Sequence, residues 1–229
     1  MTTTEQKPPS TLTSLRRLIP ARSCLPEETR QIAEAQATRL VAILGDAEGP
    51  QVSHIDAMPR IAVRYERLPV SGLSHWNGRQ WIICLNTEDS PARQRFTLLH
   101  EFKHIIDHGA CDRLYRDVTR RGVTLTARQQ AETAADYFAG CALVPKRELK
   151  RAWGLGIQRI DDLAAHFGVS QHAIEVRLDQ TGLSREVDPE PEMRTENQGG
   201  RCARPISTRT WQPQRFRFAQ HRYPRRSFV

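Results

Sequence analysis

The stretch RFTLLHEFKHIIDHG, Arg95–Gly109, sets His100, Glu101 and His104 inside a run of apolar residues. Phe96, Leu98, Leu99, Phe102, Ile105 and Ile106 mark a helix that is buried on folding. Burying ionisable groups without partners is costly. Either these side chains satisfy one another in pairs, or they hold something.

Two imidazoles at i and i+4 are neighbours on a helix, with Cβ atoms about 5–6 Å apart. Both can reach one tetrahedral metal ion, typically zinc. Glu101 borders such an ion without having to ligate it. A carboxylate so placed can take a proton from the attacking water and return it to a leaving amine. Chance alone would produce His-Glu-x-x-His about 0.02 times in a chain of this composition, so a third ligand is the test of the reading. The position six residues after His104, where another arrangement would carry a histidine, is Ala110. His108 lies one more turn along the same helix, and three turns of one straight helix do not easily wrap a tetrahedral ion. A rim or packing role suits it better, with substrate contact as the alternative. The better candidate is ETAAD, Glu132–Asp136. Glu132, Ala135, Asp136 and Ala139 share one helical face. The alanines allow close approach to the His100 helix. Glu132 then completes a set of two histidines and a glutamate, and Asp136 is placed to accept the other ring N–H of a ligating histidine. For Glu132 alone, the alternative is a solvated acid in the first turn of a helix.

RQRFTLLHEFKHIIDH followed by ETAADYFAGCALVP resembles the ImmA/IrrE family of bacterial metallopeptidases, and the Glu-x-x-x-Asp spacing is similar to that of thermolysin-type zincins. The resemblance spans about residues 25–183. It implies His100, His104 and Glu132 as metal ligands and Glu101 as catalytic base and acid. About one divalent metal per chain is expected, with zinc favoured by the nitrogen and oxygen ligand set and manganese as the alternative in vitro. The resemblance also implies a protein substrate, a helix-turn-helix repressor of the XRE type whose cleavage derepresses transcription in phage-like, toxin–antitoxin-like or stress operons. The sequence departs from the family at Phe102-Lys103, where Leu-Gly is usual, and at Ala134, where a second Glu is common. Neither change touches a proposed ligand.

Outward from this centre, Pro26–Gly45 reads as a helix with Ile32, Ala35, Ala37, Leu40, Ile43 and Leu44 on one face. Residues 60–69 and 78–86 read as strands, with HWNGRQ as the turn between them. The motif helix starts near Ser90 or Pro91. A polar loop, about 109–125, leads to a helix from about Ala127 to Leu143, with Thr126 as its cap. The expected fold is α+β: a zincin-like metallopeptidase core whose small sheet flanks the HExxH helix, followed by a small helical, HTH-like subdomain. The expected domains are a flexible segment 1–24, the peptidase domain 25–145, the HTH-like subdomain 146–183 and a disordered Arg-rich tail 184–229.

Of the chain's 34 basic and 26 acidic residues, eight arginines and no acid lie in 201–229, so residues 1–200 balance at 26 of each. The net charge of +8 belongs to the tail. The segment Arg159–Leu183 offers Gln171, His172, Glu175 and Arg177 on its second helix, with little positive charge for reading DNA. DNA binding is therefore the less favoured role, and packing or partner docking the favoured one. Cys24, Cys84, Cys111, Cys141 and Cys202 form no CxxC pattern; reduced thiols and a cytoplasmic location are expected, with no membrane span. Oligomeric state is left open. The reading that competes with the peptidase is a non-catalytic, metal-binding regulator that grips a repressor or DNA through the HTH-like segment.

Overall fold

The computed structural model describes residues 10–45, 49–120 and 122–183. In chain order the elements are α1 (Thr11–Arg16), α2 (Pro26–Leu44), α3 (Val52–Asp56), β1 (Ile61–Glu66), β2 (Gly72–Trp76), β3 (Trp81–Asn86), α4 (Pro91–Asp107) and α5 (Cys111–Leu114). There follow β4 (Val118–Arg120), β5 (Val123–Leu125), α6 (Ala127–Leu143), α7 (Lys146–Gly154), α8 (Ile160–Phe167) and α9 (Gln171–Thr181).

The two site-bearing helices begin and end where their sequences dictate. Ser90 caps α4 by accepting from the Arg93 N–H at 3.3 Å, and Pro91 stands at the first helical position, where its missing N–H costs nothing. Thr126 caps α6 reciprocally: its Oγ1 accepts from the Gln129 N–H and the Gln129 side chain accepts from the Thr126 N–H. α2 ends on Gly45, which takes the left-handed conformation at φ 65°.

One apolar core joins nearly everything. Leu98, Leu99, Phe102, Ile105 and Ile106 of α4 meet Phe138, Ala139, Ala142 and Leu143 of α6, Ala33, Ala37 and Leu40 of α2, and Ile83 and Leu85 of β3. Cys141 is buried in this core, and Cys84 is buried on the other face of β3, its Sγ donating to Glu66 Oε1 at 3.6 Å. The sheet is mixed, in the order β1-β3-β2, with β1 parallel and β2 antiparallel to the central β3.

Four expectations are corrected. HWNGRQ is a turn only from Asn77 onward, because His75 and Trp76 belong to the unforeseen strand β2. The polar loop 109–125 holds α5 and the β4–β5 hairpin, whose ladder pairs Val118 with Leu125. The buried face of α2 is rotated: Ala35 and Ile43 are exposed, and Gln36 is buried in their stead, its Nε2 donating to the Leu15 carbonyl at 3.3 Å. The segment expected to be flexible up to residue 24 contributes α1. There Leu15 is fully buried and Arg16 donates to the carbonyls of Ile105 and Ile106 at 2.8 and 3.1 Å, satisfying orphan acceptors at the end of α4. The expected disorder of residues 1–9 and 184–229 lies outside the described residues.

α8 and α9 form a helix-turn-helix pair, but their apolar side chains feed the common core through Leu163, Val169, Ile174 and Leu178. Arg177 is buried, donating to the Val144 carbonyl at 3.2 Å and to Gln180 Oε1 at 2.7 Å. Gln171, His172, Glu175, Asp179 and Gln180 are what α9 exposes, so the one cation expected on its DNA-reading face is turned inward. Among the described residues no helix is long and apolar enough to cross a membrane.

Phe138 is fully buried, with its ring centroid 6.5 Å from that of Phe102 at the α4–α6 contact. Phe138→Ala is expected to lower stability by about 3–5 kcal/mol, read as a shift in the urea unfolding midpoint.

Candidate metal centre

The centre is assembled by two packing events. The first sets α6 against α4. Ala135 and Ala139 are completely buried at this contact and add no bulk beyond Cβ, so the helices approach closely. Glu132 and Asp136, one turn apart on α6, are thereby brought to His100 and His104. His100 Nε2 lies 3.1 Å from His104 Nε2 and 3.3 Å from Glu132 Oε2, and His104 Nε2 lies 3.8 Å from Glu132 Oε1. Among the described residues these three side chains form a metal-binding group, their ligand atoms all within 4.8 Å of one another.

The donor set fits a small divalent ion. Ligand atoms arranged tetrahedrally at about 2.0–2.1 Å from an ion stand about 3.3–3.4 Å apart, close to the spacings found. Glu132 Oε2 is buried and has no hydrogen-bond partner despite its closeness to His100 Nε2. Such an orphan acceptor is costly unless something positive occupies the space it faces. Asp136 Oδ1 lies 2.8 Å from His100 Nδ1. A carboxylate there claims the Nδ1 proton and leaves Nε2 to point at the group.

The local charges agree. Burial by itself disfavours the imidazolium of His100, but the carboxylates of Asp136 and Glu132 override it and push its pKa up to about 10. His104 is pushed down to about 4, by burial and then by the neighbouring His100 charge. Burial alone would raise the Glu132 carboxyl, yet the two histidines hold it below its ordinary range. The carboxylates of Asp136 and Glu132 thus favour positive charge at this cluster.

The second event sets β2 against α4. Two residues of strand advance about 6.5 Å and four residues of helix about 6 Å, so the two elements keep step. Gly72 packs over Thr97: a Cβ at Gly72 would lie 2.5 Å from Thr97 Cγ2. Ser74 then meets Glu101, donating from Oγ to Oε2 at 2.7 Å. Beyond the end of the helix, the Trp81 ring meets that of His108 at 4.8 Å, edge on. His108 stands one turn beyond His104, its N–H donating to the His104 carbonyl at 3.0 Å. The helix ends at Asp107, and at His108, its C-cap, ψ 128° turns the following chain out of the helix; the His108 side chain lines the cavity.

The cavity measures about 650 Å³, and His100, Glu101, His104, Glu132, Ser74 and His108 all line it. The sequence reading found five of these six. It missed Ser74, whose strand it did not foresee. Lys103 faces away from the ligands. It is buried in an ion pair with Asp107, whose Oδ2 also accepts from the Tyr115 hydroxyl at 2.5 Å. Its charge adds a minor downward push on His104, which Asp107 opposes.

Two histidines one helical turn apart, a glutamate from the facing helix and a buried carboxylate beside them define an HExxH-type metallopeptidase centre. The model of the peptidase M78 family, described as the IrrE N-terminal-like domain, matches residues 59–179, and the chain belongs to that family. The matched residues run from ahead of β1 into α9 and so include the helix-turn-helix pair. No curated protein matches the chain. Among solved structures, a Mycobacterium tuberculosis transcriptional regulator is similar at 18% identity and a TM-score of 0.43, over 74% of this chain and 52% of that one. The chain spans about half the length of that structure.

Glu132→Ala is expected to abolish stoichiometric metal binding, while Glu101→Gln retains about one ion per chain. Elemental analysis after dialysis reads this directly, and full occupancy in the Glu132 variant would remove it from the ligand set.

Proposed function

We propose that the protein is a zinc-dependent endopeptidase that cuts a helix-turn-helix repressor of the XRE type and so derepresses transcription. The observation that carries the peptidase reading is Glu101. A carboxylate that is 6% exposed, beside the His100–His104–Glu132 group and on the wall of an open cavity, costs desolvation to bury, and its place there suits a general base. Two imidazoles and one carboxylate favour zinc, one per chain, with manganese as a substitute in vitro. The substrate class rests on the resemblance to ImmA/IrrE peptidases.

When bound, such an ion supplies Lewis acidity for the scissile carbonyl and for water. The chain's own residues do the rest. His100, His104 and Glu132 hold the ion, and Asp136 fixes the ring of His100. Glu101 takes the proton of the attacking water and delivers it to the departing amine nitrogen. β2 is an edge strand, and Gly72, Leu73 and Ser74 line the cavity, which suits a substrate bound in extended form along it. His108, beside Trp81 on the cavity wall, is placed as a second hydrogen-bond donor for the carbonyl oxygen as it gains charge.

The test is cleavage of an XRE-type repressor from the same genome by zinc-loaded protein, with mass spectrometry placing the cut. Wild type is expected to make one defined cut, and Glu101→Gln to slow it by about 10²–10⁴ while keeping metal. A glutamine variant that cuts at the wild-type rate would remove the base assignment. Stable repressor binding by both forms without any cut would favour the non-catalytic regulator.

A further inference from the structure

We propose that Ser74 is a positioning residue for this hydrolysis: its hydroxyl, on β2, holds the Glu101 carboxylate in the orientation that proton transfer requires. The assignment rests on the endopeptidase reading above. Ser74 Oγ donates to Glu101 Oε2 at 2.7 Å, the length of a strong bond to a carboxylate. A glutamate has three side-chain torsions, and this bond restrains the last of them from outside its own helix.

The restraint comes from a rigid source. Ser74 stands opposite Ile83 on the central strand, and Ile83 is fully buried. Two residues earlier, Gly72 lies against both Thr97 of α4 and the Cys84 carbonyl of β3, at distances that leave no room for a Cβ. That contact sets the separation of β2 from α4, and hence the reach of Ser74 to Glu101. The same strand forms a wall of the cavity. A peptide laid along β2 and the carboxylate that serves it are therefore referenced to one element. Strand and base move together, so the distance from Glu101 to the scissile bond is preserved on binding.

A misplacement of about 1 Å at a reacting group costs on the order of 10²-fold in rate. With zinc-loaded full chain and an XRE-type repressor as substrate, Ser74→Ala is expected to lower kcat by about tenfold to a hundredfold. Metal content, melting temperature and KM should stay at wild-type values, the signature of an interaction that matters only in the transition state. Ser74→Thr, which keeps the hydroxyl, should restore most of kcat. Should the alanine variant not fold, Ser74→Cys keeps the size with a weaker donor and must show a loss in the same direction. A wild-type kcat in Ser74→Ala, a change confined to KM, or a threonine variant as slow as the alanine one would overturn the assignment. Wild type that cuts nothing would overturn the endopeptidase reading and this assignment with it, whereas wild type cutting no faster than Ser74→Ala would overturn this assignment alone.

Discussion

The close seating of α6 on α4 is the contact on which the rest of the molecule depends. It buries Phe102 against Phe138 and brings two alanines, Ala135 and Ala139, to full burial. Small side chains at this contact are what allow the polar ends of Glu132 and Asp136 to reach across to His100 Nε2 and Nδ1. The same contact therefore supplies hydrophobic stabilisation and ligand geometry. A bulkier residue at either alanine would part the helices and separate the carboxylates from the imidazoles, whatever it did to stability. α2 packs on the outer side of α6, and β3 and β2 on α4, so the ligand-bearing pair is clamped between other layers.

α4 carries ionisable groups in two clusters and treats them differently. Toward the cavity, His100 and His104 face Glu132, with Glu101 beside them, an arrangement short of positive charge and ready for a cation. Toward its end, Lys103, Asp107 and Tyr115 satisfy one another in a buried cluster, of which Asp107 and Tyr115 also border the cavity. Burying that pair costs desolvation, but it ties the end of α4 to the segment after α5. Arg16 reinforces the same end by taking up the carbonyls of Ile105 and Ile106. The helix that holds the site is thereby fixed at both ends, by Ser90 at its start and by these buried contacts at its finish.

The helix-turn-helix pair is packed into the common core. Its spacing is that of a DNA-binding unit, yet Leu163, Ile174 and Leu178 belong to the same core as α4 and α6. The Arg177 guanidinium is used on the Val144 carbonyl, at the end of α6. A side chain engaged in this way steadies the helix that carries Glu132 and Asp136.

The sequence by itself determined α4 and α6, their caps, and the ligand pattern. His-Glu-x-x-His, Glu-x-x-x-Asp, Ser90-Pro91 and the Thr126 cap are local signals, set by 3.6-residue periodicity and by the need to satisfy helix ends. Only the tertiary structure decided β2, the inward face of α2 and the position of His108. Gly72-Leu73-Ser74-His75-Trp76 has weak strand propensity and no alternation, and it is a strand because β3 pairs with it and α4 underlies it. Gln36 is buried because the Leu15 carbonyl of α1, 21 residues earlier, awaits its amide. The His108 ring is set on the cavity wall by Trp81 of β3, against which it packs edge on. Each of these outcomes depends on a partner distant in sequence, and periodicity within one segment cannot encode a partner supplied by another.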